Sequence, residues 1–194
     1  MSALAKILAD RGHPVSGSDP RETPTSRQLT QLGVSVFHDQ TAATIEALLA
    51  KGLRPIVVVS TAIPASNPEL SRARAAKLEI WHRSDLLAAL IDQQPSIAVA
   101  GSHGKTTTSG MLIWALEQVS FPVSYLVGGL FQENSLPPGK FVKNAWMVME
   151  IDESDGTIDQ FSPETSVALN SSLNITSFTS FKRWLSISLS KHNI

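Results

Sequence analysis

Apolar residues in the first ninety positions alternate between two spacings. Leu4, Ile7 and Leu8 fall at i, i+3 and i+4, which predicts a helix over residues 2–11 stopped by Gly12. Helical spacing returns over 25–32, stopped by Gly33, over 42–50, ended by Gly52, and over 68–77, where Pro68 suits a first turn. Between these lie short runs at 14–17, 34–37, 56–60 and 78–81 that predict strands. The run IVVVS at 56–60 is apolar at successive positions, so a strand buried on both faces is expected. Ser84 is placed to cap a helix over 86–91, with Asp85 in its first turn.

Gln93, Gln94 and Pro95 interrupt the pattern and predict a boundary between a domain at 1–93 and another at 94–170. The second reads as strand 97–100, helix 106–118, and strands 123–127, 145–151 and 165–169. Gly128, Gly129 and the Pro-Pro-Gly at 137–139 mark a loop. Strands alternating with helices predict an α/β protein, two units in series, each a parallel sheet covered by helices. Residues 171–194 break with this composition. They are rich in serine, no acidic residue follows Glu164, and they read as a divergent tail.

With 42% hydrophobic residues in 194, one or two small domains can each bury a core. A net charge of −1 gives no basic excess for nucleic acid and no acidic excess for a disordered tail. The absence of cysteine excludes disulfides and thiolate metal sites. No apolar run approaches the ~20 residues that span a bilayer, and the N-terminus lacks a secretory pattern. A soluble cytoplasmic protein without membrane insertion is expected.

The strongest chemical signal is SIAVAGSHGKTTTSGMLIWAL. A β-branched strand runs into Gly101, Ser102, His103, Gly104, Lys105, Thr106 and Thr107, and an apolar-periodic helix follows, which is the context of a phosphate-binding loop. Glycines let the backbone bring N–H groups to phosphate oxygens, and the new helix points its positive end at them. Lys105 would neutralise the β- and γ-phosphates, and the Thr106 hydroxyl would ligate Mg²⁺. Val99 stands where the general pattern has its outer glycine. After the strand at 145–149 come Glu150, Asp152, Glu153 and Asp155. A carboxylate at that strand's end would lie beside the loop, so Glu150 is the candidate second metal ligand, with Asp152 on the same face.

GSHGKTTTS followed by EIDESDG resembles the Mur ligases, in the branch whose loop reads G-T-H-G-K-T-T-T and whose acidic stretch reads E-A-D-E-S-D. MSALAKILADRGHPVSGSD looks like that family's first helix and second strand, and VVVSTAIPASNPEL like its V-V-S-S-A-I-x-x-x-N-P-E. HRSDLLAALI resembles the helix leading to the phosphate loop. The resemblance covers residues 1 to about 170. It implies a Rossmann-like first domain for a UDP-sugar, lined by Ser18, Asp19, Ser60 and Thr61, and a central domain for ATP and Mg²⁺ in which Lys105 is catalytic. A third domain, for the amino acid, is expected beyond this chain. The implied reaction joins L-alanine to UDP-N-acetylmuramate in peptidoglycan synthesis through an acyl phosphate.

Three departures accompany the likeness. The family's opening strand and G-x-G-G-x-G turn are expected before Met1. Asn170 is present from the motif N-x-E-x-D-H-x-D, but Ser172, Asn174, Ile175 and Ser177 stand at its Glu, Asp, His and Asp. With the third domain also lacking, an incomplete form that does not carry the full reaction alone is expected. A noncatalytic nucleotide-binding module, a ligase recycling murein tripeptide and a generic phosphate-loop ATPase remain the alternatives.

Overall fold

The computed structural model describes residues 1–128, 138–151 and 158–170. The chain is α/β and divides into two compact units, Met1–Leu86 and Leu87–Ile194.

In the first unit, β1 (Ser16–Ser18) pairs in parallel with β2 (Ser35–Phe37), and β3 (Val57–Val59) with β4 (Ile80–His82). The helices are α1 (Ser2–Asp10), α2 (Pro24–Gln31), α3 (Ala42–Ala50) and α4 (Pro68–Ala75). The first three end two residues before Gly12, Gly33 and Gly52. Two helix starts are fixed by side chains. Thr23 and Ser26 form a reciprocal capping box, with Ser26 N donating to Thr23 Oγ1 (3.0 Å) and Thr23 N to Ser26 Oγ (2.9 Å). Asn67 Oδ1 accepts from Leu70 N (3.1 Å), directly before Pro68. Ile45 of α3, Ala73 of α4 and Leu78 form a buried cluster, against which Leu49, Val57, Ala76 and Ile80 pack.

Two expectations are corrected here. Val57–Val59 is half-buried rather than buried on both faces, and Ile56 is 48% exposed. Among the described residues β3 has only β4 beside it, so its other edge is not shielded by a strand. The helix expected at 86–91, α5 (Arg83–Ile91), starts three residues earlier, directly out of β4. Asp85, not Ser84, secures that start: its carboxylate accepts from His82 N (2.7 Å), while Ser84 Oγ pairs with His82 Nδ1 (2.8 Å).

Among the described residues, the second unit forms a five-stranded sheet in the order β7-β6-β8-β5-β9. Its strands are β5 (Ser96–Ala100), β6 (Val123–Leu126), β7 (Gly139–Lys140), β8 (Trp146–Glu150) and β9 (Thr165–Ala168). All pair in parallel except β7, which runs antiparallel to β6 at Tyr125↔Lys140 and Leu126↔Gly139. Gly139, expected in a loop, instead opens this edge strand. Two residues beside prolines are too short to show any period in sequence. A short 3-10 turn, Ile158–Gln160, precedes β9. The helix α6 (Lys105–Gln118) buries Ile113 against Val123, Tyr125, Val127 and Val148, with Ile97, Leu112 and Leu116 at the margin. Each such side chain withdrawn from water stabilises the unit by about 1.5–3 kcal/mol. The chain leaves β5 and returns at β6, skipping the place later filled by β8, so the carboxyl ends of β5 and β8 form a crevice of the kind where open α/β sheets bind ligands. No helix among the described residues is long and apolar enough to cross a membrane.

Candidate functional site

The loop that follows β5 is shaped by the end of β9. The ladder between them continues past both strands: Leu169 N donates to Ala100 O (3.1 Å), and Ser102 N donates to Asn170 O (3.3 Å). Gly101 lies between these bonds with φ +143°. A Cβ there would sit 3.1 Å from Leu169 Cβ and 3.2 Å from both the N and the O of Asn170, so the approach of the two backbones requires glycine. Gly104, at φ +85°, is the N-cap of α6, and its carbonyl accepts from Thr108 N (2.9 Å). Helix geometry leaves first-turn amides without intrahelical acceptors, and they carry the positive end of the helix toward the crevice. The Lys105 ammonium folds back and donates to the Gly101 carbonyl, which holds its charge over the mouth of the loop.

Glu150 ends β8 and lies in register with Val99 of β5, which places it beside the loop. Its Oε2 accepts from the Thr106 hydroxyl (3.1 Å) and from Gly128 N (3.3 Å), while its Oε1 is buried with no hydrogen-bond partner among the described residues. An orphaned carboxylate oxygen next to a threonine hydroxyl suits a hard divalent cation that completes its shell with phosphate oxygens and water. No cluster of three or more His, Asp or Glu side chains among the described residues could hold a metal alone. Burial pushes the Glu150 carboxyl above the usual glutamate range, opposed by the bonds from Gly128 and Thr106 and by the charge of Lys105.

This shift has a sign that can be measured. A carboxyl with a raised folded-state pKa binds more protons in the native than in the unfolded chain, so stability is greatest at acid pH. It falls as pH rises from the ordinary glutamate range of about 4.3 through the folded value. Without divalent cations, Glu150→Gln is expected to remove that fall and to gain stability relative to the native chain between pH 5 and pH 7.5. Urea unfolding at the two pH values checks it; an unchanged pH dependence would refute the assignment of the shift to Glu150.

Gly101, Ser102, His103, Gly104, Lys105, Thr106, Thr107 and Glu150 are thus gathered at one crevice although Glu150 is 44 residues from Thr106. The His103 side chain is exposed. Asp152, Glu153 and Asp155 lie outside the described residues, as do Ser172, Asn174, Ile175 and Ser177. In the first unit, Ser18 ends β1 and Asp19 follows it. Ser18 Oγ donates to Glu69 Oε2 (2.5 Å) in the first turn of α4, and Asp19 Oδ1 accepts from Arg21 N (2.9 Å). Ser60 and Thr61 follow β3, where Ile63 N donates to Ser60 O (3.0 Å) in a turn and Thr61 is exposed. The Ser18–Glu69 bond ties the end of β1 to the start of the helix after β3. Sequence reasoning singled out neither Glu69 nor the amide of Gly128. Both contacts join residues on different elements, and periodicity carries no signal for them.

Residues 1–95 match the family model described as Mur ligase family, catalytic domain. A UDP-N-acetylmuramate–L-alanine ligase from Parasynechococcus marenigrum is 61% identical over 176 residues, covering 91% of this chain and 38% of that protein. A second, from Synechococcus sp. strain CC9605, is 53% identical over 178 residues with the same coverage. The chain therefore spans well under half the length of these curated relatives. Among solved structures, a UDP-N-acetylmuramate–alanine ligase from Thermotoga maritima superposes with a TM-score of 0.80 at 26% identity, covering 98% of this chain and 44% of that one. A ligase from Neisseria meningitides acting on UDP-N-acetylmuramate and L-alanyl-γ-D-glutamyl-meso-diaminopimelate shares the fold, with a TM-score of 0.81 at 24% identity over 98% of this chain and 71% of that one.

Proposed function

We propose that this chain, as a member of the Mur ligase family, carries the nucleotide-sugar and ATP sites of an enzyme that ligates L-alanine to UDP-N-acetylmuramate for peptidoglycan synthesis. Residues 1–93 take the UDP-sugar at Ser18, Asp19, Ser60 and Thr61, and residues 94–170 take ATP at 101–107. The observation that carries the ATP site is the bond from Thr106 to Glu150, a hydroxyl and a half-buried carboxylate brought together at the mouth of the loop.

In this reading the carboxylate of the sugar's lactyl group attacks the γ-phosphorus of ATP, the bond to the β–γ bridging oxygen breaks, and ADP leaves. The amine of L-alanine then attacks the acyl phosphate carbon, phosphate departs, and the amine loses a proton. The first step brings two anions together, so positive charge must be fixed in place beforehand. Lys105 supplies one charge, and the first-turn amides of α6 supply partial charges that need no reorganisation. Mg²⁺, held by Thr106 and Glu150, would add Lewis-acid neutralisation of the phosphate oxygens.

Ser172, Asn174, Ile175 and Ser177 replace the acidic residues and histidine that the family uses after its Asn, and that histidine holds a second metal. This favours a second reading for the chain by itself, a nucleotide-binding module that does not complete the ligation. Both are tested with purified chain, UDP-N-acetylmuramate, L-alanine and MgATP. ATP and the UDP-sugar are expected to bind in calorimetry while no UDP-N-acetylmuramoyl-alanine forms. Product would exclude the module reading, and failure to bind ATP would exclude both.

A further inference from the structure

The phosphate loop is gripped from outside by one side chain. Asn170, just past the end of β9, accepts from His103 N–H through Oδ1 (3.0 Å) and donates through Nδ2 to the His103 carbonyl (2.9 Å). Its own backbone carbonyl accepts from Ser102 N (3.3 Å). Three bonds therefore run between residue 170 and two successive loop residues, 67 positions away for the side-chain pair. An asparagine amide is suited to this because it presents an acceptor and a donor on one planar fork. An aspartate presents two acceptors, and a hydrophobic residue neither. Leu169 adds to the grip by lying against Gly101, 3.1 Å from where a Cβ would be, and 3.5 Å from the equivalent point of Gly104.

We propose that Asn170 is a positioning residue for the nucleotide: it holds the peptide groups of His103 in one orientation, so that the amides which follow meet phosphate oxygens without reordering. The reasoning rests on the ATP-site reading above. A glycine-bounded loop left to itself samples many backbone states, and ordering it on binding costs affinity. The clamp orders the loop in advance. It also diverts the amides of Ser102 and His103 to Asn170, so the phosphate-facing donors are those from the N-cap of α6 onward. Asn170 is exposed, so its contribution to global stability is small, while its effect on the loop is local.

The test compares the native chain with Asn170→Ala and Asn170→Asp by titration with a fluorescent ATP analogue, thermal unfolding, and hydrogen exchange of the His103 amide. Asn170→Ala is expected to bind the analogue roughly tenfold more weakly at an unchanged melting temperature, with fast exchange at His103 and undisturbed exchange in β5 and β8. Asn170→Asp at pH 7.5 is the same size but sets a carboxylate oxygen against the His103 carbonyl, so it should lose at least as much affinity as alanine. Native-like binding by either variant would overturn the proposal, as would a loss that follows a lowered melting temperature. If the native chain itself does not bind the analogue, the ATP-site reading fails, and His103 exchange still decides whether the clamp orders the loop.

Discussion

Lys105→Ala is expected to weaken ATP binding roughly 10- to 100-fold, the range of a lost charge-assisted contact. The ammonium is held by the Gly101 carbonyl at the mouth of the loop, so the charge is in place before the nucleotide arrives. Removing it takes away a fixed counter-charge to the phosphates and the strap that spans the loop. Stability should change little, because the hydrogen bond lost is only part-buried. Glu150 provides an internal check. The charge of Lys105 is one of the influences holding its carboxyl down, so the variant should move that carboxyl further up. Lys105→Arg keeps the charge but replaces a compact ammonium with a planar fork, and should recover only part of the affinity. Calorimetric titration with MgATP measures all three proteins, and native affinity in Lys105→Ala would remove this lysine from the nucleotide site.

Gly101→Ala should destabilise the second unit by about 2–4 kcal/mol, the sum of backbone strain and overpacking at a site with no room to yield. The conformation at φ +143° strains any residue with a Cβ. The atoms that the new methyl would meet include the backbone N and O of Asn170, which cannot swing aside as a flexible side chain would. The end of β9 would have to retreat, taking with it the bonds from Leu169 to Ala100 and from Ser102 to Asn170. Stability and ATP affinity should therefore fall together, which distinguishes this variant from Lys105→Ala. Gly17→Ala is the control. Nothing lies within 4 Å of a Cβ at Gly17, so the change should stay within about 0.5 kcal/mol. Urea unfolding followed by circular dichroism separates the two, and similar midpoints would show that the Gly101 contact yields more easily than its geometry implies.

Much of the secondary structure was legible in the pattern of apolar positions. Helices over 2–11, 25–32, 42–50 and 106–118 were expected, and α1, α2, α3 and α6 match them to within a residue at each end. Side-chain period and glycine stops are local properties, and local properties survive folding when the core lies on one face. The failures have equally local reasons. The valines of β3 look fully buried because burial was inferred from the strand's own residues, whereas it depends on what lies at its other edge. β7 is two residues long and owes its existence to β6. The start of α5 passed to Asp85 because the turn out of β4 is tight enough for that carboxylate to reach His82 N.

The chemistry divides along the same line. By itself the sequence determined an α/β chain, a strand-loop-helix unit with glycines and Lys105 where phosphate chemistry needs them, and an acidic residue closing a later strand. Each of these is written in neighbouring residues, and the likeness to the Mur ligases rests on the same short stretches. Only the tertiary structure decided that β8 slots between β5 and β6, and that this order sets Glu150 against Thr106 and the amide of Gly128. It alone showed Ser18 meeting Glu69, and Asn170 closing on His103 from the end of β9. Those contacts span 22 to 67 residues, and no periodicity encodes them. They exist because the register of parallel strands fixes which carboxyl ends stand side by side, and that register is settled only when the whole sheet packs.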